Sequence, residues 1–186
     1  MVRRDGTAEL KSYMIARSIM VKVPRGIGAG GANTNINGLA YETLTNIKFA
    51  IGDRFMGLPK GTFHKYMIEM GHRDIEVSPM HGCRQPDEAY LDEENKKLFI
   101  IEKKFQQVGG SVCEKIQTGD AKRENYRDMF PRLNVEYIYV LSDWFKDNCQ
   151  YELKYLSKRS VPVFWGSDPN FVHNIKTFMD MKSEPH

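Results

Sequence analysis

The chain has 186 residues, 41% of them hydrophobic and 27% charged, and a formal net charge of +3. That length suits one domain with a substantial core, and the balance excludes disordered, fibrous and repeat proteins. The charge is too mild to argue for or against a nucleic-acid partner.

Residues 7–20 place apolar side chains at helical spacing, and the pattern predicts a helix. A glycine-rich loop follows over 26–38. No strand precedes it and no Gly-Lys-Ser/Thr closes it, so it is read as a surface loop and no nucleotide cofactor is expected. Asn35 or Asn37 caps a helix over about 38–55, with Leu39, Leu44, Ile47, Ala50 and Ile51 as its apolar stripe. A short helix at 62–70 and a first strand at Arg73–Ser78 come next.

The middle of the chain reads as a β-hairpin. Gln85-Pro86-Asp87 leads into Glu88–Leu91, Asp92–Asn95 form a polar turn, and Lys97–Phe105 make the second strand. Its run Leu98–Ile101 is apolar on both faces, as in a central strand. Ser111-Val-Cys-Glu114 is a capping box that starts a helix reaching about Phe130, with Gly119 as a point of interruption. Val135–Leu141 is a strand, 143–158 a helix, Val161–Trp165 a strand and 170–181 a last helix. A strand–helix–strand succession implies parallel neighbours. The expected fold is therefore α/β, a mixed β-sheet flanked by helices. It forms a single domain over 1–186, with an N-terminal helix and loop at 1–36, a core at 37–165 and a C-terminal helix at 166–186.

Cys83, Cys113 and Cys149 stand 30 and 36 residues apart. An odd number without a C-x-x-C pair argues against a disulfide framework and a zinc site, so all three are read as reduced thiols. No apolar run of signal-peptide length follows the N-terminus, and none approaches the length of a membrane span. These features predict a soluble cytoplasmic protein without a membrane partner. The histidines do not cluster, and the Met-rich helices are read as core.

The chemistry-bearing candidates lie on the hairpin. Side chains on a strand alternate, so Glu102 and Lys104 share one face while Lys103 points to the other. Two charged groups directly after Phe-Ile-Ile are costly to bury unless they are paired or bind metal. The plainer reading is a strand that emerges into solvent at Glu102 and forms a salt bridge. Whether Asp87 joins the pair depends on register. With the turn centred between Glu93 and Glu94, Asp87 faces Ile100 and lies diagonal to Glu102, roughly 7–8 Å away. A slip of one residue puts it on the wrong face. Two carboxylates on adjacent strands suit a hard divalent cation, and a lysine beside them suits the orientation of an attacking water.

Pro86-Asp87, fourteen residues and Glu102-Lys103-Lys104 resemble the PD-(D/E)XK nuclease signature. Within that superfamily the pattern is most similar to type II restriction endonucleases. The resemblance implies a mixed sheet flanked by helices, with Asp87 and Glu102 ligating Mg²⁺ (Mn²⁺ substituting) and Lys104 acting on the nucleophilic water. It implies a further carboxylate from a preceding helix, a place that Glu42 occupies. It also implies site-specific cleavage of double-stranded DNA by a homodimer. Gln106, Ser111, Lys115, Gln117, Lys122 and Arg123 are the candidate DNA contacts, from the strand's end and the following helix. The helical Gln-x-x-x-Tyr of some repair and resolvase nucleases is absent, since Gln117 and Tyr126 stand nine apart. A repair or junction-resolving nuclease of the same fold, and a DNA-binding module without cleavage, are the alternative expectations.

Overall fold

The computed structural model describes residues 38, 40–47, 54–58, 60–73, 85–107, 109 and 112–184. The expected helix 7–20, residues 26–37 of the glycine-rich loop, the Asn35 or Asn37 cap, residues 74–78 of the expected first strand, Cys83 and Ser111 lie outside the described residues.

Among the described residues, five strands form one sheet in the order β1-β2-β3-β4-β5. They are β1 (Met56–Leu58), β2 (Glu88–Asp92), β3 (Lys97–Lys104), β4 (Asn134–Leu141) and β5 (Val163–Trp165). β1 and β2 pair antiparallel, as do β2 and β3. β3, β4 and β5 run parallel. The mixed α/β sheet expected from the sequence is present, with the hairpin on one side and the parallel unit on the other.

Around it lie α1 (residue 38 and residues 40–44), α2 (Phe63–Glu69), α3 (Val112–Gln117), α4 (Gly119–Met129), α5 (Trp144–Asn148), α6 (Gln150–Lys158) and α7 (Phe171–Ser183). Alternation along the strands sorts the core into two layers. Ala89, Leu91, Leu98, Ile100, Val135, Tyr137, Tyr139 and Leu141 pack with Phe63, Ile116, Tyr126, Phe145 and Leu156 from α2 to α6. On the opposite face Tyr90, Phe99, Ile101, Ile138 and Val140 meet Tyr41, Ile47, Phe55, Ile175 and Met179. β3 is buried on both faces from Leu98 to Ile101, which is why its sequence reads as a continuous apolar run.

Several element boundaries differ from the sequence expectation. The helix read over 38–55 stops at 44, where Thr45 Oγ1 donates to the Tyr41 carbonyl at 2.7 Å and the chain turns. A strand follows at Met56–Leu58, too short to display an alternating pattern. The helix expected from Ser111 to Phe130 is split at Thr118 into α3 and α4. The break lets α4 approach the sheet closely: a Cβ on Gly119 would stand 2.6 Å from Cε2 of Tyr139. The helix expected over 143–158 is likewise split at Cys149.

Cys149 forms a disulfide with Cys113 of α3. This corrects the reading of both as reduced thiols. Sequence spacing carries no information about pairs that helix packing brings together. Among the described residues, no helix is long and apolar enough to cross a membrane.

Candidate active site

The hairpin register sets the site. Glu88 pairs with Ile101 and Ala89 with Ile100, so the turn centres between Glu94 and Asn95. This is one residue later than the sequence reading assumed. One step beyond the last ladder pair, Asp87 therefore lies across from Glu102 instead of Ile100. Because each strand contributes one residue to the shift, Asp87 keeps its face. Directly opposed side chains are the closest cross-strand neighbours, with Cβ atoms about 4.5–5.5 Å apart. The Asp87 carboxylate is fixed from below, since its Oδ2 accepts the backbone N–H of Lys103 at 2.8 Å.

Glu102 and Lys104 share the same face as expected, with Lys104 Nζ 2.6 Å from Glu102 Oε1. A second ammonium reaches that same oxygen: Lys122 Nζ, from α4, at 3.2 Å. Asp87 and Glu102 are mostly withdrawn from water, their side chains 12% and 13% exposed. Tyr139 is the β4 neighbour of Glu102 and Tyr137 lies two residues before it on the same face. Burial pushes both phenols above their usual pKa, and the Glu102 charge adds to this. They stay protonated and apolar in character beside the carboxylate.

Glu42 is drawn into the site by a residue that the sequence reading did not single out. Lys60, on the turn after β1, places Nζ 2.9 Å from Glu42 Oε2 and 2.9 Å from Asp87 Oδ1. The two carboxylate oxygens therefore lie within twice that distance of each other. Burial tends to lower the pKa of Lys60, but the bonds and charges of Asp87 and Glu42 outweigh this and raise it above 10.5. It is an ammonium throughout the physiological range.

The middle residue of Glu-x-Lys has its own task on the opposite face. Lys103 is 1% exposed at its side chain and forms a buried ion pair with Glu88. Its Nζ also donates to the Glu42 carbonyl at 2.8 Å. Glu88 in turn accepts the Ile47 amide at 3.2 Å and the Tyr90 hydroxyl. This network fastens the end of α1 to the hairpin and so presents the Glu42 side chain toward Lys60. Alternation predicted the direction of Lys103; the immediate neighbour of Asp87, Glu88, was the available signal for its partner.

The candidate DNA contacts separate into different fates. Lys122 belongs to the Glu102 cluster. Arg123 is removed from the set: it is buried, paired with Asp120, and donates to the carbonyls of Ser160 and Arg159 at 3.1 and 3.0 Å. Its position one residue after Lys122 turns it away around the helix. Gln117 points to α6, with Nε2 3.4 Å from Glu152 Oε1. Gln106 lies past the end of β3, its backbone held by Ser142 Oγ on both the N–H and carbonyl sides at 3.1 and 3.2 Å. Lys115 is exposed on α3, and Ser111 lies outside the described residues.

The donor set is that of a hard cation: carboxylate oxygens from α1, β3 and the start of β2. Lys60 Nζ, a cation equidistant from Glu42 and Asp87, stands where a metal ion would meet both. The ligand oxygens of Glu42, Asp87 and Glu102 do not all lie within 4.8 Å of one another. Among the described residues the one trio of Cys, His, Asp or Glu with ligand atoms all within 4.8 Å is Cys113, Cys149 and Glu152. Two of those atoms are joined in the disulfide. A groove of about 550 Å³ between α6, β5 and α7, lined by Leu153, Val161, Trp165 and Phe178, contains none of the candidate site residues.

Compared with protein-family models, with curated proteins and with solved structures, the chain matches none.

Proposed function

We propose that this chain is a Mg²⁺-dependent endonuclease that hydrolyses phosphodiester bonds of double-stranded DNA at a specific site, in the manner of the type II restriction enzymes of the PD-(D/E)XK superfamily. The observation that carries the reading is the placement of Asp87 across from Glu102 on adjacent strands, with Lys104 2.6 Å from Glu102. The order of an antiparallel hairpin followed by a parallel strand, with Glu42 on a preceding helix, agrees with it.

In this reading Asp87 and Glu102 hold the metal, with Glu42 beside them. Such an ion would supply Lewis-acid charge to the phosphate ester and make water a stronger nucleophile. Lys104 Nζ orients the attacking water by hydrogen bonding and offsets the charge that gathers on the phosphate. Lys122 shares Glu102 Oε1 with Lys104, so two ammonium groups converge on that one oxygen. Tyr137 and Tyr139 wall the carboxylate from water on the sheet side. Symmetric cleavage of both strands calls for two copies of the chain reading a palindrome.

Incubation of the protein with supercoiled plasmid and Mg²⁺ is the test. Discrete linear fragments, lost with a chelator and in Lys104→Ala, are the expected result. A preference for branched substrates would transfer the protein to the repair and junction-resolving class. Intact plasmid, with duplex still bound, would make it a DNA-binding module and overturn the proposal.

A further inference from the structure

Lys60 lies outside the Pro-Asp and Glu-x-Lys motif, yet its ammonium spans two of the candidate metal ligands. We propose that Lys60 is a built-in competitor for the divalent cation: it holds the Glu42–Asp87 pair in the metal-free protein and must leave those oxygens before an ion can take them. The inference rests on the metal-site reading above and adds to it a device that couples metal loading to substrate.

The geometry carries the argument. Nζ stands 2.9 Å from one oxygen of each carboxylate. An ammonium and a divalent cation that approach the same oxygens exclude one another, by contact and by charge. Lys60 is also the most exposed of the three partners. It sits on a three-residue 3₁₀ turn, Lys60–Thr62, directly after β1, and its side chain is 49% exposed. Asp87 is the opposite case, held by the Lys103 amide, and Glu42 is presented by a helix whose end Lys103 secures. When an ion arrives, the lysine is the partner that yields.

Charge sets the consequence. Glu42, Asp87 and Glu102 set three carboxylates against the ammonium groups of Lys60, Lys104 and Lys122, so the cluster is neutral before an ion enters. A divalent ion added beside the displaced ammonium makes the same region positive, which calls for an anion. A backbone phosphate of the duplex has the charge and the oxygen donors to satisfy both. Metal and duplex then favour each other's binding through Lys60, and such a coupling is reciprocal. Lys60 is on this account a positioning residue.

Mn²⁺ titrated calorimetrically into the DNA-free protein tests this directly. Lys60→Met is expected to bind Mn²⁺ at least tenfold more tightly than the wild type. Lys60→Arg keeps the charge and is expected to remain at or above the wild-type Kd. The gain in Lys60→Met should vanish when Glu42→Gln is added. Circular dichroism of each variant confirms that the fold is retained, and the exposed turn makes this the expected result. Equal or weaker Mn²⁺ binding by folded Lys60→Met, or no binding by either protein, would overturn the inference. The outcomes separate from those of the nuclease reading. Tighter Mn²⁺ binding without plasmid cleavage leaves the competitor in place and removes the nuclease. Metal-dependent cleavage with unchanged Mn²⁺ affinity does the reverse.

Discussion

Oδ2 of Asp87 accepts the backbone N–H of Lys103 at 2.8 Å, so the carboxylate is held by the strand that carries Glu102 and Lys104. The side chain thus closes the ladder one step beyond its last backbone pair, Glu88–Ile101. Two roles follow for one residue, and two substitutions separate them. Asp87→Asn keeps an oxygen to accept the Lys103 amide but loses the charge, whereas Asp87→Ala loses both. Both should abolish Mn²⁺ binding by calorimetry and plasmid cleavage. In urea unfolding, Asp87→Ala should be less stable than Asp87→Asn by about 1–2 kcal/mol, the cost of leaving a partly buried amide unpaired. Equal stability of the two variants would show that the hydrogen bond contributes nothing.

The sharing of one Glu102 oxygen by Lys104 and Lys122 predicts unequal effects of removing them. Lys104 is on the same strand face as the carboxylate and closest to it. Lys104→Ala should lower plasmid cleavage by roughly a hundredfold or more, with folding and duplex binding retained. Lys122→Ala removes only the more distant support and should cost roughly tenfold. A Lys122 variant as impaired as the Lys104 variant would exchange their roles.

How far the site was legible in the sequence depends on how local its determinants are. Alternation along β3 placed Glu102 and Lys104 together and Lys103 opposite, because that period is a property of the strand alone. The face of Asp87 was also readable, although the turn was centred one residue early. A four-residue turn with Lys96 in the left-handed region, at φ 52, sets the register, and the turn sequence does not announce it. Lys60 was beyond reach as a site residue, and Lys122 was legible only as a candidate DNA contact, not as a partner of Glu102. Lys60 arrives from the turn after a three-residue strand, and Lys122 arrives because Gly119 allows α4 against Tyr139. Both depend on packing between elements distant in sequence. The parallel pairing of β4 with β5 followed from the strand–helix–strand succession, whereas the exact helix ends depended on single tertiary contacts such as the cysteine pair.

The buried Glu88–Lys103 pair should behave as a structural tie whose halves are costly to remove singly. Burial lowers the Lys103 pKa, against the opposing pull of Glu88, Asp87 and Glu42. Lys103→Met leaves a buried carboxylate unpaired and should cost about 3–5 kcal/mol in urea unfolding. Adding Glu88→Gln to Lys103→Met should recover part of that loss, because the uncompensated charge is gone. Recovery is incomplete, since Glu88 also accepts the Ile47 amide and the Tyr90 hydroxyl. Additive losses in the double variant would contradict the pairing.

The Cys113–Cys149 disulfide ties α3 to the junction of α5 and α6 across 36 residues of chain. Closing a loop of that length restricts the unfolded chain enough to stabilise the fold by about 2–4 kcal/mol. Reduction, or Cys113→Ala with Cys149→Ala, should lower the urea midpoint accordingly. The Asp87–Glu102–Lys104 cluster should survive, because none of the three lies on the elements joined. A midpoint unchanged by reductant would show that the bond adds no stability.

Asp92 gives the stability of the hairpin its own pH dependence. Burial pushes its carboxyl up, but the Asn95 side chain and amide and the Arg54 guanidinium outweigh this and hold its pKa below the usual 3.8. A folded-state pKa below the unfolded one means a contribution fully present above 3.8 and lost as the pH falls through the folded value. Asp92→Asn removes the charge and with it that dependence. The stability gap between wild type and Asp92→Asn in urea should therefore be greatest near neutrality. It should narrow as the solution is taken below about pH 4, where the unfolded chain's carboxylate takes up its proton before the folded one does. The hydrogen bonds that an amide oxygen can still accept from Asn95 persist in both proteins, so a gap of constant size down to the acid limit would assign the role of Asp92 to shape instead of charge.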